Sequence, residues 1–227
     1  MQMKRKIHEA LEKIPLEELS YYVAHTRSER TLVKRLSSII QNDIFNDFIV
    51  RNEYTDKSLM IKDADLVIFS KNNRHNVKMY AEVKWLLSHH LFEEKKWEYR
   101  QNPKHNHHST LKVDLKKLLS AEIPNAKRLF LLFLSHYHSL DVPPYWTDQT
   151  LHRNSFSKNS LEIEIIEDIL KQRLIQTLTS TEGLTDYPIK IPQDLQIPVN
   201  SITLKTTEQI DISLMYVVLD LNEIWFE

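Results

Sequence analysis

The chain has 227 residues, with 30 Lys and Arg against 31 Asp and Glu, no cysteine, and Gly183 as its only glycine. That length can bury a sizeable core, and the lack of cysteine excludes disulfides, thiol catalysis and cysteine-based zinc sites. A single glycine excludes the Walker, dinucleotide-binding and kinase phosphate loops, which need glycine where backbone meets phosphate, so phosphate chemistry here falls to carboxylates with a metal, or to Lys and Arg.

Ile7, Ala10, Leu11 and Ile14 share a helical register, which predicts a helix over 4–14 ended by Pro15, and a short helix follows over 16–24. A third helix is expected from about Thr26 to Asn42, with Leu32, Val33, Leu36, Ile39 and Ile40 as its apolar stripe. Strands are expected at 47–54, 65–70 and 77–86, the last two joined by a polar hairpin loop, KNNRHN (71–76). Residues 88–110 read as a His-rich loop or irregular helix. They lead to a helix over 111–121 and a buried strand over 128–135. A Pro- and aromatic-rich connection, VPPYW (142–146), precedes a long helix at 160–179 and two late strands near 201–206 and 210–220. Helix, strands, helix and buried strand together describe an α/β fold with a central mixed sheet flanked by helices. Residues 1–25 form an N-terminal helical segment, 26–140 the core, and 141–227 a C-terminal α/β extension of the same domain.

The longest apolar run, LFLLFL (129–134), is too short to span a bilayer. The opening MQMKRKIHEALEKI has no apolar stretch of the secretory kind, so a cytoplasmic protein without membrane contact is expected.

Charge sits inside two of the expected strands. Residues two apart on a strand share a face, so Tyr80, Glu82 and Lys84 point one way and Ala81, Val83 and Trp85 the other. Asp65 begins one arm of the hairpin and Glu82 lies late in the other, so pairing brings the two acids together. Adjacent half-buried carboxylates repel and call for a proton or a cation. Lys84 supplies part of the compensation, and a hard divalent metal would supply more. Glu29 lies on the apolar stripe of its helix. Thr26 three residues earlier offers it another task, as the glutamate of a capping box.

Glu29 on a helix, Asp65 at a strand and Glu82-Val83-Lys84 on the next resemble the PD-(D/E)xK nuclease superfamily. The likeness extends over about 26–135, through VRNEYTDKSLMIKDADLVIF and the DLKKLL helix before RLFLLFL. Ala64 stands where that family's motif has proline. The resemblance implies a restriction-endonuclease-like core and a metal-dependent endonuclease of the restriction, defence or repair type, acting on DNA. It implies that Asp65, Glu82 and the Val83 backbone carbonyl ligate Mg²⁺ or Mn²⁺, with Glu29 acting through water. Lys84 would orient the attacking water and stabilise charge at the phosphate. It also leaves room for a homodimer, or for a separate ATPase or recognition subunit.

Residues 71–117 hold eleven Lys and Arg against five acids, whereas 157–227 hold five against twelve. Lys95, Lys96, Arg100, Lys104, Lys116 and Lys117, interleaved with Trp85, Trp97 and Tyr99, are the expected nucleic-acid contacts. Asp114 reads as a helix-start residue. His105, His107 and His108, with His136 and His138, have the side chains for a zinc site, but such a tract reads first as a solvated loop. Two other readings remain. One is a nuclease-like fold that binds nucleic acid or a partner protein without catalysis, with Glu82 and Lys84 as a buried ion pair. The other is a histidine-metal hydrolase.

Overall fold

A computed structural model describes residues 2–24, 28–44, 48–87, 111–137, 162–179, 195–205 and 211–225. Three helices open the chain: α1 (Gln2–Glu12), α2 (Leu16–Ala24) and α3 (Ser28–Ile39). α2 starts just after Pro15, and Glu17 and Glu18 in its first turn favour the positive end of the helix dipole. The expected stripe of α3 is buried through Leu32, Val33, Leu36 and Ile39, and the helix widens into a single π turn over Ile40–Ile44.

The strand expected at 47–54 divides into β1 (Phe48–Arg51) and β2 (Tyr54–Asp56). β3 (Ile61–Ala64) and β4 (Leu66–Ser70) follow, separated by a bend at Asp65. β5 (Asn73–Leu87) begins at Asn73, so the expected six-residue loop contracts to Lys71 and Asn72. The remainder is α4 (Leu111–Ser120), β6 (Lys127–Tyr137), α5 (Ile163–Thr179), β7 (Asn200–Lys205), β8 (Asp211–Asp220) and a short helix the periodicity did not signal, α6 (Leu221–Trp225).

Six strands make one sheet in the order β1-β4-β5-β6-β8-β7. Only β5 and β6 are parallel, so the sheet is mixed. A parallel pair needs a long crossover, and α4 lies within the 88–126 segment that makes it. Central β6 is buried from Leu129 to His136, which accounts for its unbroken apolar run. The core has two layers divided by sheet parity. Ile7, Leu19, Leu32 and Leu36 of α1–α3 pack with Leu66, Ile68, Ala81 and Val83 on one face. Leu115 and Leu118 of α4 and Leu170 and Leu174 of α5 pack with Val67, Tyr80 and Phe130 on the other. Helices therefore flank both faces of the sheet, and β7 and β8 carry it past residue 141. Among the described residues no helix is long and apolar enough to cross a membrane.

β2 and β3 form a separate two-stranded ribbon. With almost no glycine to use, the ribbon places Glu53 and Met60 in its turns, and Asp63 within β3, at positive φ (50°, 53° and 47°). Asp tolerates this region better than Met, which has no local polar contact to offer. Met60 is also 52% exposed, so its side chain gains little from packing. Met60→Gly is expected to raise the unfolding free energy by about 0.5–1 kcal/mol, the relief of left-handed strain less the extra entropy of an unfolded glycine. A denaturant melt checks this, and a lower midpoint would refute it.

Candidate active site

The site forms where β4 ends before β5 does. Their pairing stops at Leu66↔Ala81, while β5 continues to Leu87. Beyond that point the β5 edge facing β4 has no partner strand among the described residues, and its buried amides must find acceptors elsewhere. Two carboxylates supply them. The Val83 amide donates to Asp65 Oδ2 at 2.7 Å, and the Trp85 amide donates to Glu29 Oε2 at 2.8 Å. The bend at Asp65 lets its side chain turn onto β5 instead of continuing the ladder. One step past the last pair, Asp65 thus stands beside Glu82. Glu29 reaches across from α3. Its carboxylate bonds the Trp85 amide, so a strand end 56 residues away takes this group; Thr26, the capping alternative, lies outside the described residues.

Glu82 is 1% exposed. Its Oε1 accepts from the Tyr80 hydroxyl at 2.9 Å, and its Oε2 lies 3.5 Å from Lys117 Nζ. Lys84 pairs with Asp114 Oδ2 at 3.3 Å, and Asp114 Oδ1 lies 3.5 Å from Lys117 Nζ. These ion pairs run from strand to helix, Glu82 to Lys117 and Lys84 to Asp114. Asp114 does sit in the first turn of α4, as expected, but its side chain is buried and braces both lysines. The sequence carried a signal for this: Asp114 precedes Lys117 by three residues, so both face the same side of the helix.

The electrostatics follow from burial. Removal from water raises the Glu82 carboxyl from its ordinary 4.5 to about 9, with the Asp65 charge adding to the shift and Lys117 opposing it. Burial likewise raises Asp65 and Glu29, against the amide bonds from Val83 and Trp85. For Lys84 burial works against the charge, but Asp114, Glu29 and Asp65 outweigh it and raise its pKa. Lys117 behaves the same way, held charged by Glu82, Asp114 and Asp65. Both lysines thus remain cations near neutral pH. Four carboxylates, Glu29, Asp65, Glu82 and Asp114, face these two ammonium groups, a formal surplus of two negative charges when all are ionised. In the protein alone, the raised proton affinity of Glu82, with Asp65 and Glu29 shifted the same way, offsets part of that surplus. A hard divalent cation has the matching charge and prefers such oxygen donors, so the donor chemistry fits Mg²⁺ or Mn²⁺. Among the described residues no group of three His, Asp or Glu side chains is already arranged to hold an ion.

A cleft of about 280 Å³ opens on the α3 side, lined by Glu29, Arg30, Val33, Lys34, Asn52, Glu53 and Asp65. It gives Glu29 and Asp65 access to solvent. Of the expected nucleic-acid contacts, Lys117 is drawn into the carboxylate cluster and Lys116 is exposed on α4. Lys95, Lys96, Arg100 and Lys104 lie outside the described residues, as do Trp97, Tyr99, His105, His107, His108, His138 and the VPPYW segment. Trp85 is committed to packing. Its ring stacks on Phe133 at 5.5 Å and its indole donates to Ser135 Oγ at 2.8 Å. His136 is fully buried in β6.

Comparison with protein-family models, curated proteins and solved structures finds no match for this chain.

Proposed function

We propose that the chain is a metal-dependent nuclease with a restriction-endonuclease-like core, hydrolysing phosphodiester bonds, with DNA as its substrate. One observation carries the reading: Asp65 and Glu82 lie side by side, with Lys84 on the same strand face, at the point where β4 ends and the β5 edge opens. Asp65, Glu82 and the Val83 carbonyl would hold Mg²⁺ or Mn²⁺, with Glu29 acting through water. A divalent cation supplies a nucleophile near neutral pH and neutralises charge on the phosphate. The chain's own groups do the rest. As a ligand Glu82 would release its proton to solvent, and Tyr80 and Lys117, which contact its two oxygens, would hold it in place. Lys84 is kept charged by Asp114, so it serves as an electrostatic partner of the phosphate and not as a proton acceptor.

The test is cleavage of plasmid and oligonucleotide substrates in Mg²⁺ and Mn²⁺, run beside Lys84→Ala. Divalent-dependent cleavage is expected, falling by about a hundredfold in the variant, as for loss of one preorganised charge donor. Equal cleavage by the two proteins would refute the assignment.

A second reading, nucleic-acid or protein binding without catalysis, draws on a different observation. Glu29, Asp65 and Glu82 each already have a protein partner, and no ready-made ion cage stands among the described residues. It predicts binding with no divalent-dependent cleavage.

A further inference from the structure

Arg30 follows Glu29 on α3, and Lys34 lies one turn further along the same helix; both line the cleft that opens onto Glu29 and Asp65. Across the cleft, Glu53 meets the Arg30 guanidinium with both carboxylate oxygens. Arg30 Nε lies 2.6 Å from Oε1, and a terminal nitrogen donates to Oε2 at 2.9 Å. This two-pronged arrangement is the one a guanidinium also makes with two phosphate oxygens.

The pair is poorly explained as a stabilising device. Its side chains are 58% and 54% exposed, and ion pairs so open to water add little to stability. Glu53 also has a φ of 50°, a region costly for a residue with a Cβ. The turn is pinned there because Asn52 accepts a hydrogen bond from Ser37 of α3 at 2.5 Å. A strained residue thus presents an exposed carboxylate to an arginine beside the candidate active site.

We infer that Arg30 is a clamp for a backbone phosphate of a nucleic-acid strand entering this cleft, and that Glu53 is a placeholder which the phosphate displaces. The inference deepens the nuclease reading and rests on it for the class of ligand. Lys34 extends the cationic wall along the strand, and Glu29 and Asp65 lie at the inner end, where a neighbouring phosphodiester would react. Displacing Glu53 costs little because water readily takes its place on an exposed carboxylate.

Fluorescence anisotropy of labelled DNA and RNA oligonucleotides, in EDTA and in Ca²⁺, tests this with Arg30→Ala and Glu53→Gln. Arg30→Ala is expected to weaken binding about five- to tenfold and to reduce the log–log salt slope by about one, the signature of one lost phosphate contact. Glu53→Gln removes the competitor's charge and is expected to tighten binding severalfold. Tighter binding of either oligonucleotide by Glu53→Gln supports the clamp and identifies its source. A purely structural pair would make both variants weaken binding in step, and that result overturns the inference. So does an unchanged affinity and salt slope in Arg30→Ala, or no binding by any of the proteins. Cleavage with its Lys84 requirement is scored separately. A wild type that binds in this pattern but does not cut removes the nuclease reading and leaves the clamp. A wild type that cuts but ignores Arg30 does the reverse.

Discussion

Asp65→Asn and Glu82→Gln are each expected to lower divalent-dependent cleavage by about a thousandfold, since several kcal/mol of charge stabilisation is at stake at tenfold per about 1.4 kcal/mol. Both substitutions preserve shape. Asparagine keeps an oxygen for the Val83 amide, and glutamine keeps one for the Tyr80 hydroxyl. A loss of activity in a protein that still melts cooperatively therefore reports the charge and not the fold. Calorimetric titration with Mn²⁺ provides the companion measurement, with affinity expected to fall in step with the rate. Unchanged Mn²⁺ affinity and wild-type cleavage in either variant would refute the assigned roles. A histidine-metal hydrolase would give that result, because its activity would depend on His105, His107 and His108.

The parts of this arrangement that could be read from the sequence were those set by short-range periodicity. Period two along 79–85 put Tyr80, Glu82 and Lys84 on one side, and the Val67↔Tyr80 and Leu66↔Ala81 register brings the residue before Leu66 beside the residue after Ala81. The 3.6-residue period put Glu29 on the inner side of α3. It could not decide between a local cap and a distant strand, because the deciding partner is an amide left open only when β4 stops. The same limit applies to Asp114, whose role depends on a strand lysine 30 positions earlier. Polarity misled at KNNRHN because β5 begins with residues whose positions do not require an apolar side chain. Asn76, for example, is exposed within the strand. The break between β1 and β2 has no compositional mark for a related reason. Turns are usually marked by glycine or proline, whereas Arg51-Asn52-Glu53 turns with a left-handed glutamate.

In EDTA the melting temperature is expected to fall as pH rises from about 5 to about 9, because Glu82 binds its proton more tightly in the folded protein than in the unfolded chain. Its contribution is fully present below the unfolded value near 4.5 and is lost as pH climbs through the folded value near 9. Asp65 and Glu29 are raised by burial as well and act in the same direction. Glu82→Gln carries no titrating group at the most buried position and should flatten the profile, becoming more stable than the wild type at the alkaline end. Mn²⁺ should reverse the wild-type trend, since a ligand that binds only the folded state stabilises it. Its affinity should also grow with pH as fewer protons must be displaced. The two readings of the site diverge at this point. A buried charge cluster that serves only binding would show the alkaline loss but gain nothing from Mn²⁺. A metal site would recover its stability, and the recovery should be greatest where the protons that balance its surplus charge have been removed.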